Sequence, residues 1–517
     1  MKARIEHLPA RLAAPLAIAA GAVVLRVIAG VGFANYDTLY ALTWGGQLAR
    51  GETPQYGIPI APTPHPLVEA LGVVLAPLGP HAVEHVTVAL GFLALSACGW
   101  VVYQLGSVWF GRAAGFVAAL ILLTRVPVLS YGVRAYVDIP YLLLVLAAVL
   151  VESRRLRSGI DGIPDRPAGA PVLALLALAG LLRPEAWAFS ALYWLYVIDR
   201  TSLTARVWAR VRGRARSQPS VDTPSQPGVE PSQLTRRRIV GLTLLAAAAP
   251  LVWVASDWLV TGHPLWSLTN TRHTATTLDR VTGIGNVPQY IPKRIGEILR
   301  PPVLVGAALG GVLSLWWLPR RARLGAVVGV AAVLVFAAFA AAGLPIDTRY
   351  AFLASAILCV FCGAGVCGWM RLPREDPRRR WWMACGALVL VALLAYAPSQ
   401  YRTAHHELDE LARQGSIQNE LVALVDEGAI TRRCEPVGVS NHAPIPLLAL
   451  YLEMSPRNVV SPETGQIASG TYVDPASKEV EEHYVLDPHD PHLSVTVPPG
   501  FIESHADRSW FIFAHCL

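Results

Sequence analysis

The sequence predicts a polytopic α-helical membrane protein with a small external C-terminal α/β domain, and three observations carry that prediction. The 517-residue chain is 53% hydrophobic and only 15% charged, a balance foreign to soluble globular domains. About eleven apolar runs fill residues 1–398, most of them near the roughly 20 residues that cross a bilayer as a helix. Residues 399–517 then change character, with short apolar segments spaced by polar ones. The net charge of +7 does not imply a nucleic-acid partner, because the Arg residues stand in blocks beside the apolar runs, where they set topology.

The first run, 13–33, follows Lys2, Arg4 and Arg11. It is longer than a signal-peptide core and lacks a clear small-residue cleavage site, so it reads as a retained helix. A polar segment, 36–65, carries the turn formers Gly51, Pro54, Pro59, Pro62 and Pro64. Residues 66–78 are apolar but too short to cross, as in an interfacial or re-entrant helix. Spans are expected at 83–105, 113–131 and 137–151, with a tight loop at 107–112 and a basic loop at 152–166. The run 171–182 is interrupted by Arg183-Pro184-Glu185 before 186–198 continues. This reads as a broken pair whose tip reaches a water-filled cavity, since helix breaks at membrane depth are tolerated there. Residues 199–238, rich in Arg, Ser and Pro, read as a disordered cytoplasmic loop at about 200–238. Further spans are expected at 239–260, 303–318, 324–343, 350–370 and 381–397.

Basic residues sort onto alternate loops. Four Arg lie between Arg154 and Arg166, nine between Arg200 and Arg238, three at Arg320, Arg321 and Arg323, and five between Arg371 and Arg380. The positive-inside rule then places the N-terminus in the cytoplasm of a multi-pass protein of the cytoplasmic membrane. Asp37, Asp138, the 262–300 loop, the Asp347-Thr348-Arg349-Tyr350 turn and the tail consequently face outward.

The tail, 399–517, is expected to fold as a separate domain: a helix over 402–427, strands at 436–440 and 458–460, a helix at 445–454, and a last buried strand at 510–515. Cys434 and Cys516 alone among seven cysteines lie in this polar part. The oxidising environment outside the membrane suits a disulfide between them. Cys359 and Cys362, by contrast, are a C-x-x-C pair in the middle of a span with no nearby His, which fits small buried apolar residues better than a metal site.

Candidate chemistry gathers on the outer face. Asp37 stands between Tyr36 and Thr38 just past the first span; Arg134 and Asp138 lie between the third and fourth; Arg183 and Glu185 mark the broken tip; Arg349 and Tyr350 open a late span. Each has an ordinary account, since Arg134 can snorkel to headgroups, Glu185 can pair Arg183 and Arg349 can pair Asp347. Together, an acid able to take a proton and Arg groups able to hold phosphate suit transfer from a lipid-linked phosphate to a hydroxyl acceptor. Two carboxylates could instead share a divalent cation such as Mg or Mn, and no metal motif decides between these.

Asp37, the Pro-rich Pro62-Thr63-Pro64-His65-Pro66-Leu67, the span end Tyr131-Gly132-Val133-Arg134-Ala135-Tyr136-Val137-Asp138-Ile139-Pro140, the Leu181-Leu182-Arg183-Pro184-Glu185 break, Thr261-Gly262-His263-Pro264-Leu265 and Thr348-Arg349-Tyr350 follow one another in a familiar order. In that order and spacing, over about 13–370, the chain resembles the GT-C superfamily of integral-membrane glycosyltransferases, which includes protein O-mannosyltransferases, aminoarabinose transferases and bacterial envelope mannosyl- or arabinosyltransferases. The resemblance implies a polyprenyl-phosphate sugar donor, an inverting transfer outside the cytoplasmic membrane to a glycan, protein or lipid acceptor, and the acid of the first external loop, here Asp37, as base. Asp138 matches a second external-loop acid that positions acceptor or metal. Many relatives carry an acidic pair in the first loop and a Lys before Pro-Pro-Leu; this chain has a lone Asp37 and Pro64-His65-Pro66-Leu67, which leaves His65 or Arg349 to meet the phosphate beside Arg134 and Arg183. A transporter or lipid flippase is the alternative, because broken helices and membrane acids also mark transport sites.

Overall fold

The computed structural model describes residues 8–160, 168–201, 236–485 and 497–516. Residues 202–235, on which most of the expected disordered loop falls, lie outside this set.

Helix α1 (Leu8–Ala29) shows Leu16, Val23, Val27 and Ile28 to its surroundings, as a lipid-facing helix must. Gly30 turns the chain at a φ of 68°, a left-handed conformation open to glycine. Helix α2 (Tyr36–Ala49) follows, capped by Asn35, whose side chain accepts from the Asp37 and Thr38 amides. Pro66 opens α3 (Pro66–Leu75), where its missing N–H costs nothing. Helices α2 and α3 cross at two glycines: a Cβ on Gly45 would stand 2.7 Å from the Gly72 Cα, and one on Gly72 3.1 Å from the Gly45 Cα.

Helix α4 (Pro80–Phe110) crosses as expected. The single third span of the sequence reading is instead two helices, α5 (Arg112–Leu123) and α6 (Val126–Val133), bent by 65°. The cause lies in Arg125-Val126-Pro127, because Pro at the second helical position prevents the ladder from continuing. Carbonyls freed by the break are met by side chains: Arg125 donates from Nε to Ile121 O at 3.0 Å and from Nη1 to Leu299 O at 3.1 Å, and Gln400 donates to Thr124 O at 3.0 Å. Leu299 itself precedes a second break, since Arg300 (φ 62°, ψ 160°) kinks α12 (Val287–Trp317) ahead of Pro301 and Pro302. One buried guanidinium thus serves two interruptions.

Between these lie α7 (Asp138–Ile160), α8 (Ala170–Leu182), α9 (Glu185–Thr201), α10 (Arg236–Thr261) and α11 (Trp266–Thr277), the last within a stretch expected to be loop. Helices α13 (Pro319–Ala341), α14 (Phe352–Cys367) and α15 (Pro377–Asp426) complete the bundle. Each run expected to cross the membrane forms helix over most of its length. Among the described residues seven helices are long and apolar enough to cross a membrane, eight if the bent pair counts as one. The others are shorter, 13 residues in α8 and 17 in α9, or closed off by charge, as α7 is by Asp138 at its start and Glu152, Arg154 and Arg155 near its end.

Helix α14 is the buried centre. It meets α12 backbone to backbone, for a Cβ on Gly310 would lie 1.9 Å from Phe361 O and one on Gly365 2.4 Å from Gly306 O. Small residues permit such approach where lipid offers no hydrophobic drive between helices.

Helix α15 runs unbroken for 50 residues through the 398/399 boundary and into the C-terminal part. There β1 (Val437–Val439), α16 (Ile445–Tyr451), β2 (Val459–Val460), β3 (Gly470–Pro475), β4 (Ile502–Ala506) and β5 (Trp510–His515) build a sheet of order β2-β1-β3-β5-β4. Strand β1 is parallel to β2 and β3, and β5 is antiparallel to β3 and β4. A disulfide joins Cys434 to Cys516 with 5.4 Å between their Cα atoms. The C-terminal domain is docked through Glu84 of α4, whose carboxylate accepts from the Ala34 amide, from Gln418 of α15 and from the hydroxyl of Tyr451 of α16.

Candidate functional site

The loops that precede α2 and follow α6 are stitched together by polar groups. Asn35 N and Nδ2 both donate to Arg134 O, at 3.0 and 2.9 Å, and Thr38 Oγ1 donates to Ala135 O at 2.9 Å. Capping by Asn35 is worth about 1 kcal/mol, and here it also fixes where the first turn of α2 carries Asp37. Asp37 faces a cavity of about 860 Å3 whose wall includes Tyr36, His65, Arg134, Arg183, Glu185, Arg349 and Tyr350.

The Asp37 carboxylate accepts from Arg349 Nη1 at 2.8 Å. Arg349 sits in the turn Thr348–Ala351 that leads into α14, and it also faces Asp347 at 3.5 Å, which in turn faces Arg280 at 3.5 Å. Burial alone would push the Asp37 carboxyl up, but the Arg349 guanidinium, with Arg280 beyond it, outweighs burial and holds it below its ordinary value. It is therefore ionised at neutral pH.

Asp138 does not reach the cavity wall. It is 2% exposed and ion-paired with Arg183, which also binds Glu185 at 2.8 Å. The Arg183 guanidinium lies 4.7 Å from the centre of the Tyr350 ring. Two buried acids, Glu185 from the α8/α9 break and Asp138 from the start of α7, stand against one Arg and form a unit in which the cation's charge is already spent. Arg134 differs. Its guanidinium lies 5.5 and 5.0 Å from the rings of Tyr131 and Tyr136, which stack on each other at 4.2 Å, and its Nη2 donates to Ser130 Oγ at 2.9 Å. Among the described residues no carboxylate pairs with it.

His65, at the start of α3, is buried with Nδ1 2.8 Å from Leu182 O, so the proton is on Nδ1. Burial drives its imidazole down to about 4, against the pull of Asp37 and with the push of Arg183; the ring is neutral. Tyr36 donates to Ile60 O at 3.3 Å and packs edge-on against Tyr40.

The cavity is also walled by residues that the sequence reading passed over: Arg280 and Arg294 from the 262–300 region, Gln414 of α15, and His442, His483 and Tyr484 of the C-terminal part. Nothing in the local pattern marks them, since each is brought in by tertiary packing. As for a metal, the described residues contain no group of three or more His, Cys, Asp or Glu that could hold one. Asp37 and Asp138, the two acids considered as shared ligands, are each engaged by a different Arg. The donor set fits a charge-compensated phosphate site better than a metal's ligand shell.

The fold and this site define a class: a multi-pass helical membrane protein with a small C-terminal α/β domain. The particular likeness is to the crystal structure of ArnT from Cupriavidus metallidurans bound to undecaprenyl phosphate, at a TM-score of 0.52 and 14% identity, covering 96% of this chain and 97% of that one. A looser likeness, TM-score 0.44 and 13% identity over 91% of this chain and 69% of the other, is to the archaeal oligosaccharyltransferase AglB from Archaeoglobus fulgidus in complex with an inhibitory peptide and a dolichol-phosphate. At these identities the likeness is one of fold. No family model matches the chain, and no curated protein sequence matches it significantly.

Proposed function

We propose that this protein is a membrane glycosyltransferase that moves a sugar from a polyprenyl-phosphate donor to a cell-envelope acceptor, with inversion, on the outer face of the cytoplasmic membrane. The observation that carries the reading is the Asp37–Arg349 pair on the wall of a large cavity at the end of a helical bundle. An acid and a cation in contact can serve the two charges that such a transfer creates. As the acceptor oxygen attacks the anomeric carbon from the face opposite the phosphate, its proton passes to the Asp37 carboxylate. The carbon–oxygen bond to phosphate breaks, and the polyprenyl phosphate leaves with the electron pair.

Arg349 and Arg134 stand where that growing negative charge can be met. Arg349 couples the events: as phosphate draws it, its hold on Asp37 weakens and the carboxylate becomes a stronger base when the proton arrives. Arg134, with no acid partner among the described residues, brings an uncompensated positive charge. Arg183 belongs to the Asp138–Glu185 unit and holds the α8/α9 break in place under Tyr350. His65, neutral with its proton committed to Leu182, offers an acceptor nitrogen and not a cation.

The test is to incubate membranes containing the full chain with a panel of radiolabelled polyprenyl-phosphate sugars and follow the label. Transfer is expected for one donor class, and Asp37→Asn should lower it by about 100- to 10,000-fold without loss of expression. Retained transfer in that variant removes Asp37 from the role of base. Uptake of label into vesicles with no glycosylated product would favour a transporter.

A further inference from the structure

The turn between β1 and α16 places His442 on the cavity wall while 92% of its surface is covered; it is 8% exposed. Nδ1 of His442 lies 3.3 Å from Glu463 Oε1, and both side chains are 10% exposed. The His442 ring meets Tyr36 edge-on, with centroids 5.5 Å apart, and Tyr36 adjoins Asp37 in the chain. Glu463 is thus the orienting carboxylate of a His–Glu dyad, one that fixes the ring and its tautomer. The dyad comes from the C-terminal domain, whereas the acid and the Arg groups come from the membrane bundle.

The position has a chemical meaning. An acceptor hydroxyl must present its proton to Asp37, and its sugar ring needs a surface on the side away from the phosphate. An edge-on pair of a Tyr ring and an oriented imidazole gives such a surface an apolar face and a directional hydrogen-bonding group, the combination that recognises a hydroxylated ring. Glu84 holds the backbone of Ala34 and the hydroxyl of Tyr451 at the same time, so the base-bearing loop and the domain that carries His442 are set relative to each other.

We propose that His442, oriented by Glu463, is an acceptor-binding residue, and that the C-terminal domain supplies the acceptor half of the site, for a hydroxyl-bearing sugar ring. This rests on the glycosyltransferase reading above. The test uses purified full-length protein in detergent, saturating labelled polyprenyl-phosphate sugar, and as acceptor probe the washed envelope fraction that takes label in membranes, titrated over a wide range. His442→Gln should raise the acceptor concentration for half-maximal transfer at least ten-fold and leave the donor half-saturation unchanged. Glu463→Gln should raise it by a smaller factor, about three-fold, because the ring remains but is loosely held. Unchanged acceptor half-saturation in both variants overturns the proposal, as does a loss that falls equally on donor and acceptor. If His442→Gln does not elute as a monodisperse protein, Glu463→Gln decides by the same criterion. Absence of transfer by the unaltered protein with every donor sinks the glycosyltransferase reading and this inference with it; transfer with an unchanged His442→Gln sinks the inference alone.

Discussion

Asp37 and Arg349 are separated by 312 positions in sequence yet meet at 2.8 Å, and that contact sets the behaviour of the acid. Arg349 is the largest influence opposing burial at Asp37, and the balance lies below the ordinary carboxylate value. Removing the cation favours the protonated form, so the folded-state pKa rises. Arg349→Gln is therefore expected to move the acid limb of the pH–rate profile to higher pH, besides weakening donor binding; a limb that stays in place means that Asp37 does not titrate in catalysis. The sequence made Asp37, Arg134, Arg183, Glu185 and Arg349 legible as a group because the positive-inside tally assigns the Arg blocks to one side and these few charges to the other. Their pairing was not legible. Which Arg takes which acid depends on loops that only the bundle brings together, and so Asp138, expected beside Asp37 in the chemistry, lies behind Arg183.

At the scale of elements, the crossing of α2 and α3 fixes the height of Asp37. Gly72 has Leu42 O 2.9 Å and the Gly45 Cα 3.1 Å from where a Cβ would stand; both are backbone atoms that cannot move aside alone. Gly72→Ala should cost about 1–3 kcal/mol by overpacking, read as a lower thermal unfolding midpoint in detergent, and transfer should fall with it because α2 carries Asp37. A variant with unaltered midpoint would show that the crossing is looser than its geometry. Helix starts and long apolar runs were readable from period and composition. The α5/α6 bend was not, although Arg125 followed by Val126-Pro127 inside an apolar run was its signal. Strands β3 and β4 also escaped: β3 opens at Gly470, whose φ of 119° and 2.1 Å approach to Pro436 O require glycine, and β4 is an exposed edge without apolar alternation.

For the whole molecule, the C-terminal sheet shares one hydrophobic core with the bundle, in which Leu447, Val473 and Trp510 belong with Leu95 and Ile357. The Cys434–Cys516 bond closes a separation of 82 residues, and bonds of this kind contribute about 2–4 kcal/mol. Replacing both cysteines by Ser should expose the tail to limited proteolysis while leaving a protected membrane core; equal resistance with and without the bond would show that the sheet stands without it. The two-part plan was legible from composition alone. What composition could not show is that α15 belongs to both parts. Its beginning lies in the bundle, Gln400 reaches Thr124 at the α5/α6 break, Gly415 packs on Val31 and Phe33, and Gln418 joins the Glu84 junction. The helix is a lintel, about 22 Å long between Gln400 and Gly415 at 1.5 Å per residue, resting on the same lipid-facing shaft that anchors it. A helix whose apolar length mismatches the bilayer tilts, and a tilt of this one moves Gln414 on the cavity wall. On the proposed glycosyltransferase reading, transfer in vesicles of graded acyl-chain length is expected to peak at one thickness and fall on either side; a flat response would show that this tilt does not reach the site.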